Sequence, residues 1–150
     1  MAGMEGLGRV FNVITNASGV NFSMKQCSAI SVVCQASGAS SVAITASTAY
    51  SGGTTDNFTT ANGFGQAPHW YQNTSDTGTA AWTKQASVWT SNSLALAGTT
   101  GYTSVFAIFG SQLADTFDYL NITGTNCGVI ILFHDLTVER TPANLTIVGA

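Results

Sequence analysis

Few side chains of this 150-residue chain could carry out nucleophilic catalysis. The histidines are His69 and His134, and His134 is followed directly by a carboxylate, Asp135. A serine hydrolase needs a serine, a histidine and an orienting carboxylate in one cluster. Consecutive strand residues point to opposite faces, so Asp135 is not expected to orient His134, and the chain has no Gly-x-Ser-x-Gly elbow. We therefore expect His134 to be a hydrogen-bonded residue of the core or of an interface.

The acids, cysteines and glycines form no pattern that favours an enzyme or a metal site. Paired carboxylates can cleave glycosides, and the candidates are Asp115, Asp118, Asp135 and Glu139. The cysteines lack the short paired spacing of a zinc site; they are Cys27, Cys34 and Cys127. Glycine-rich residues 63–65 and 98–101 precede no predicted helix, so we expect no phosphate loop. The sequence predicts no enzymatic activity, no metal and no cofactor.

Aromatic side chains form the strongest candidate binding set. The candidates for contact with a glycan or with a neighbouring subunit are Trp70, Tyr71, Trp89 and Tyr102. Exposed rings on a β-sandwich can stack on sugars, and amphipathic rings also dominate subunit interfaces. Trp82 lies seven residues before Trp89, so the two rings are expected on opposite faces of one continuous strand. Core, interface and sugar-binding roles all stay open for this set.

The charge content is unusually low. Four Lys and Arg and seven Asp and Glu make 7% of the residues charged, where roughly 25% is usual. So few basic residues do not favour a nucleic-acid partner. The apolar run 129–133 is too short to span a membrane. A small cytoplasmic monomer generally needs surface charge for solubility, so we expect much of this surface to be covered by other subunits.

The spacing of the apolar residues predicts an all-β fold. Apolar and polar residues alternate with a period of two, and no window shows a helical period. About nine to eleven short strands result, which is typical of a single-domain β-sandwich or jelly-roll-like barrel. Residues 1–11 are predicted to form an N-terminal arm, and residues 12–150 the β-sandwich domain.

The C-terminal third contains the most specific strand patterns. Residues 117–138 are predicted to form a hairpin that turns at 124–126. Both faces of 128–138 are apolar, so this strand is expected to be covered on both sides. The residues expected to be buried are Ile30, Val32, Ile44, Leu120, Ile122, Ile130, Leu132 and Phe133. Replacement of Leu132 by Ala is expected to destabilise the fold by about 2–5 kcal/mol.

The C-terminal residues 131–145, with the string HDLTVERTPANL at 134–145, carry a family resemblance. They resemble the ends of small virion structural proteins of tailed bacteriophages that infect actinobacteria. The resemblance covers about the last 25 residues, and it implies a capsid-associated or other virion structural role. It implies no catalytic residue.

These observations together predict a non-enzymatic capsid decoration, or cement, protein. Its expected partner is the major capsid protein, and its expected state is a symmetric homo-oligomer, with a trimer as the first expectation. No secretory signal is recognisable at residues 1–5, so we expect synthesis in the host cytoplasm and a final location on the capsid surface. The alternative is a tail or fibre module that binds host glycans through its aromatic residues.

The N-terminal arm is the predicted attachment segment. Residues 1–8 include three glycines and no apolar period. We expect the arm to lie against a neighbouring subunit or the shell, with Leu7, Val10 and Phe11 as apolar anchors and Arg9 on an acidic group. The competing interpretation is that the arm adds an edge strand to its own sandwich.

Overall fold

The computed structural model confirms the all-β prediction. It describes residues 13–25, 27–96 and 99–135, and these form ten strands and two single turns of 3-10 helix, Thr60–Asn62 and Gly110–Gln112. The strands are β1 (Val13–Ile14), β2 (Asn21–Ser23), β3 (Ala29–Ser47), β4 (Thr55–Asn57), β5 (His69–Asn73), β6 (Thr83–Ala86), β7 (Val88–Thr90), β8 (Ser93–Leu96), β9 (Thr103–Phe109) and β10 (Tyr119–His134). The predicted arm, residues 1–11, lies outside the described residues. No helix within the described ranges is long and apolar enough to cross a membrane.

Two long antiparallel strands, β3 and β10, organise the sheet. They pair along their whole length, from Tyr119 opposite Ser47 to His134 opposite Ala29. Strand β9 pairs with the first half of β3, followed outward by β5 and β6. Strands β8 and β4 pair with the second half of β3, and β7 pairs with β8. On its other edge β10 pairs with β1 and β2.

The sheet bends over on itself and forms a sandwich. Phe22 of β2 pairs with Leu120, which lies 13 residues from Phe133 along β10, about 43 Å in a straight strand. Nevertheless the rings of Phe22 and Phe133 lie 5.9 Å apart, edge to face. The first layer therefore contains β1, the second half of β10, the first half of β3, β9, β5 and β6. The second layer contains β2, the first half of β10, the second half of β3, β8, β7 and β4.

An irregularity in the pairing of β3 with β10, which we call the bulge, lies at this bend. Thr125 pairs with Ser41 and Cys127 with Ala36, so residues 37–40 of β3 lie opposite Asn126 alone. Asn126 adopts a left-handed conformation with φ 53°. The Asn126 amide donates to the carbonyl of Ala39 at 3.0 Å, and the hydroxyl of Ser37 donates to the carbonyl of Asn126 at 3.1 Å. The longer side of the bulge is therefore β3, on which the buried residues to either side, such as Cys34 and Val42, are even-numbered. In β10 the buried residues change from even to odd numbers across Asn126, so its side chains change faces there. The predicted hairpin turn at 124–126 is therefore wrong, because β10 continues through these residues.

Because of the bulge, part of the predicted core is exposed. Before it the even-numbered Leu120 and Ile122 are buried, and after it the odd-numbered Val129, Ile131 and Phe133 are buried. Ile130 and Leu132 instead point outward and are 37% and 38% exposed, so their predicted burial is wrong. The other residues expected in the core are buried as predicted, namely Ile30, Val32, Ile44, Leu120, Ile122 and Phe133.

Candidate interaction surface

The outer face of the first layer carries a continuous set of apolar side chains. Ile130 lies opposite Val33, Val33 opposite Val105, and Val105 opposite Tyr71, which makes one row across four strands. Neighbouring rows add residues from β1, β10 and β9. We call this set the apolar outer face, and its members are Val13, Val33, Tyr71, Val105, Ala107, Phe109, Ile130 and Leu132.

Several of these side chains are largely exposed. Phe109 is 53% exposed, Tyr71 is 43% exposed, and Ile130 and Leu132 are each more than a third exposed. Single exposed apolar residues are ordinary, but a contiguous patch marks a binding surface. The bulge produces the patch, since it turns Ile130 and Leu132 away from the core.

The outer face of the second layer has the opposite character. It is formed mainly by hydroxyl and amide side chains, which are Asn21, Ser23, Ser41, Thr45, Asn57, Thr90, Ser93, Asn121 and Thr123. The Asn121 amide donates to Asn21 Oδ1 at 2.6 Å, and the Thr123 hydroxyl donates to Asn121 Oδ1 at 3.3 Å. Strands β3 and β10 contribute to both outer faces. The difference therefore reflects which residues occupy the outward positions and not which strands are available.

The charged side chains of the described residues lie outside the apolar outer face. Lys84, opposite Tyr71 on β6, stands at its edge, and Asp135 follows the last residue of β10. Asp118 forms an ion pair with Lys25 at 3.1 Å, and this ion pair raises the pKa of Lys25 through the hydrogen bond and the charge of the carboxylate. The other described charges are Asp56 on β4 and, in loops, Asp76 and Asp115. The apolar outer face is thus uncharged, with charges only at its rim.

His134 is hydrogen-bonded, but not in a catalytic cluster. Its Nε2 lies 2.7 Å from Ser31 Oγ on the outward side of β3 and β10. Asp135 has φ 51°, and its carboxylate accepts from the hydroxyl of Ser28 at 2.6 Å. The carboxylate therefore binds a different serine from the one that His134 contacts. The contact between Ser31 and His134 depends on the pairing of β3 with β10, and no local sequence motif predicts that pairing.

The predicted aromatic set is divided between the core and the surface. Trp70 is 2% exposed and belongs to the core, so its predicted contact with a glycan or subunit is wrong. Strand alternation accounts for this, because Trp70 and Tyr71 are neighbours on β5 and only one can point outward. Trp89 is half-buried and its indole N–H donates to the carbonyl of Ala67 at 3.0 Å, and Tyr102 is also half-buried. Trp82, outside the predicted set, is 52% exposed.

Two of the predicted acids line one open cavity of about 230 Å³. Asp115 and Asp118 lie there beside Met24, Leu113 and Phe117. Asp118 is in the ion pair with Lys25 described above.

The thiols of Cys34 and Cys127 meet at the bulge. Their hydrogen bond, together with burial, raises the pKa of Cys34 well above its ordinary value, and the same bond lowers the pKa of Cys127. No disulfide joins the three cysteines. Within the described ranges no three His, Cys, Asp or Glu side chains are grouped so that they could hold a metal ion.

The predicted attachment residues, Leu7, Arg9, Val10 and Phe11, lie outside the described residues. The point where the arm joins the sandwich is described. Val13 pairs with Leu132, and β10 ends two residues later at His134. The first and last described residues therefore lie at the same end of the apolar outer face.

Comparison of the chain with family models, with curated proteins and with solved structures finds no match.

Proposed function

We propose that this chain is a non-enzymatic structural protein of a bacteriophage particle, a capsid decoration protein that binds the lattice of the major capsid protein as a symmetric oligomer. The observation that carries the proposal is the uncharged apolar outer face, which needs a protein partner to cover it. The resemblance of residues 131–145 to virion proteins supports a particle as the place where that partner is found.

The low charge of the chain supports an assembled state. Its described charges are few, and they lie away from a sheet face on which Phe109, Tyr71, Ile130 and Leu132 are exposed. A protein of this kind gains stability and avoids non-specific association when it is permanently assembled. Capsid decoration provides such an assembly, because every copy is bound in a regular lattice.

The position of Val13, the first described residue, supports attachment at one end of the sandwich. The chain enters β1 beside the last residues of β10, so the arm that precedes Val13 starts at that end. The proposed contacts of Leu7, Arg9, Val10 and Phe11 with the shell would then be made there. The sequence predicts a trimer on local threefold positions, and the molar mass of the isolated protein tests this prediction against the two-fold dimer inferred below.

Quantitative mass spectrometry of purified particles of the encoding phage tests the proposal. A decoration protein is expected in hundreds of copies per particle, in a fixed ratio to the major capsid protein. A handful of copies would indicate a tail or fibre component, and absence from particles would contradict a virion role.

The site of attachment is tested with shells that lack this protein. Deleting residues 1–8 is expected to abolish binding to the shells and to leave the melting temperature nearly unchanged. A large fall in melting temperature with binding intact would instead mean that the arm completes its own sandwich. The full-length chain with Leu7→Ala is the milder companion variant.

The second candidate is glycan binding by a tail or fibre module, which the exposure of Tyr71 and Trp82 favours. A glycan array with the full-length protein tests it. Signal that disappears in Trp82→Ala and Tyr71→Ala would support it. Trp70→Ala is not a suitable variant, because Trp70 lies in the core and its loss would perturb the fold.

A further inference from the structure

We propose that the apolar outer face packs against the same face of a second copy of this chain and forms a two-fold symmetric dimer. This inference specifies a subunit contact of the oligomer in the proposed function, but it does not require that the protein belong to a virion.

The apolar outer face favours a partner surface without charges. The centre of the face is formed by Val33, Val105 and Ile130, and the nearest described charges, Lys84 and Asp135, stand at its rim. A charged side chain pressed onto these residues would lose its hydration without gaining an opposite charge. The partner surface must therefore also be apolar at its centre.

Within the described part of the chain, the matching surface is the same face. The outer face of the second layer is formed mainly by hydroxyl and amide groups, as described above. Other exposed large apolar side chains, Val20, Tyr50, Trp82 and Val88, are distributed over separate elements and form no row across paired strands. A copy of this chain thus offers one extended apolar face, and contact between identical faces is isologous, with two-fold symmetry.

The area of the face is that of a weak dimer. The paired strands place eleven side chains on it in three rows, and at about 4.8 Å by 6.8 Å for each position they cover roughly 360 Å² of sheet. Two such faces bury roughly 700 Å², which is typical of a weak or transient contact. We therefore expect a dissociation constant of about 100 μM.

Two polar side chains within this face are already paired with each other. Ser31 Oγ and His134 Nε2 lie 2.7 Å apart in a hydrogen bond, so burial of these two atoms leaves neither without a partner. A sheet can pack face to face on another sheet at about 10 Å, with the side chains of the two faces interdigitated. The face is thus prepared for contact with a second sheet of the same kind.

The molar mass of the full-length protein by sedimentation velocity or multi-angle light scattering, over roughly 10–1,000 μM, tests the proposal. The wild-type protein is expected to be a dimer at the upper end of this range. Ile130→Lys is expected to weaken dimerisation by about 100-fold or more, because each copy would bury an unpaired ammonium. Thr123→Lys is the matched control, since Thr123 is exposed on the same strand but on the polar outer face, and it should dimerise like the wild type.

Circular dichroism and thermal melting show whether each variant is folded. If Ile130→Lys does not fold, Ile130→Thr places on β10 the residue type that the other face uses, and it is expected to weaken dimerisation by about tenfold. Equal weakening by Thr123→Lys would overturn the assignment of the contact to the apolar outer face.

Three other outcomes would overturn the proposal. A wild-type monomer throughout the range would mean that the face is covered by another protein or by this chain's own terminal segments. A trimer would require unlike surfaces in contact. A dimer that Ile130→Lys leaves intact would place the contact elsewhere. A protein present in virions but monomeric in isolation would refute this pairing and leave the proposed virion role standing. A dimer absent from particles would refute the virion role and leave the pairing standing.

Discussion

Replacing each of two neighbouring residues of β10 by alanine tests the arrangement of this fold most directly. Ile131 is fully buried and Leu132 is 38% exposed, although the alternation of the sequence predicted that Leu132 is in the core. If the bulge between Thr125 and Cys127 is present, Ile131→Ala should destabilise the protein strongly and Leu132→Ala only mildly. The two changes remove the same number of carbon atoms.

The expected difference follows from burial. Removing three buried carbons from Ile131 forfeits about 2.4 kcal/mol of transfer free energy, and a closed cavity of roughly 60 Å³ adds about 1.5 kcal/mol. The expected loss for Ile131→Ala is thus about 4 kcal/mol, within the usual range. Leu132 is open to solvent, so no closed cavity forms, and its partial burial gives about 1.5 kcal/mol.

Urea denaturation followed by tryptophan fluorescence measures these changes in the free energy of unfolding. The protein should be dilute enough to be monomeric, so that subunit contact does not contribute. Leu120→Ala and Asn121→Ala are the matched pair before the bulge, where the even-numbered residue should be the costly one. A loss for Leu132→Ala as large as that for Ile131→Ala would refute the bulge and the core assignment built on it.

Three further predictions concern the bend. Gly124→Ala should destabilise the protein by about 1–3 kcal/mol, because its Cβ would lie 2.7 Å from the carbonyl oxygen and 2.9 Å from the Sγ of Cys127. Gly128→Ala is the control, since its Cβ meets nothing within 4 Å and its stability should stay within about 0.5 kcal/mol of wild type. Equal losses for the two variants in thermal unfolding would contradict this geometry. The pKa of Cys34 is raised in the folded protein, so as the pH rises through 9.0 this thiol ionises in the unfolded chain first. Its contribution to the free energy of unfolding should therefore fall above that pH. Urea titrations of wild type and Cys34→Ala at several pH values measure this as a difference between the two proteins that changes with pH. Iodoacetamide should label Cys127 before Cys34 in the native protein, because Cys127 is half-buried with a lowered pKa; peptide mapping that finds Cys34 modified first would contradict this.

The sequence predicts the strand type because local alternation is enough for it. Ile30 and Val32 belong to an alternating segment, and so does Ile44, and all three are buried as predicted. Composition and the absence of a helical period were sufficient to predict an all-β domain. Strand type and alternation depend on residues close together in the chain, and they can therefore be predicted from the sequence.

What the sequence could not predict depends on pairing between distant segments. Residues 124–126 have the composition of a hairpin turn, and only their pairing with β3 keeps them in a strand. The alternation after the bulge then reverses, which moves Ile130 and Leu132 from the expected core to the surface. Trp70 and Tyr71 are both aromatic, and nothing local indicates which of them points inward.

The apolar outer face could not be predicted from the sequence for the same reason. Ile130, Val33, Val105 and Tyr71 come from four strands, and each is an ordinary apolar residue in its own segment. They become a surface only when the strand order and register are known. The low total charge was the one sequence signal that indicated a covered surface, and it could not indicate where that surface lies.

The continuity of β3 and β10 through both layers has a consequence for how the chain folds. Their partners are separated by 72 residues at Tyr119 and Ser47 and by 105 residues at His134 and Ala29, and contacts so distant in sequence form slowly. During synthesis β4, β8 and β9 can pair with one edge of β3, but the other edge has no partner among the described strands until β10 leaves the ribosome. A 19-residue strand with an open edge is a template for pairing between nascent chains. We therefore expect the yield of native protein to rise when synthesis is slow and dilute, since β10, the last of the described strands to be made, is the one that closes this edge of β3.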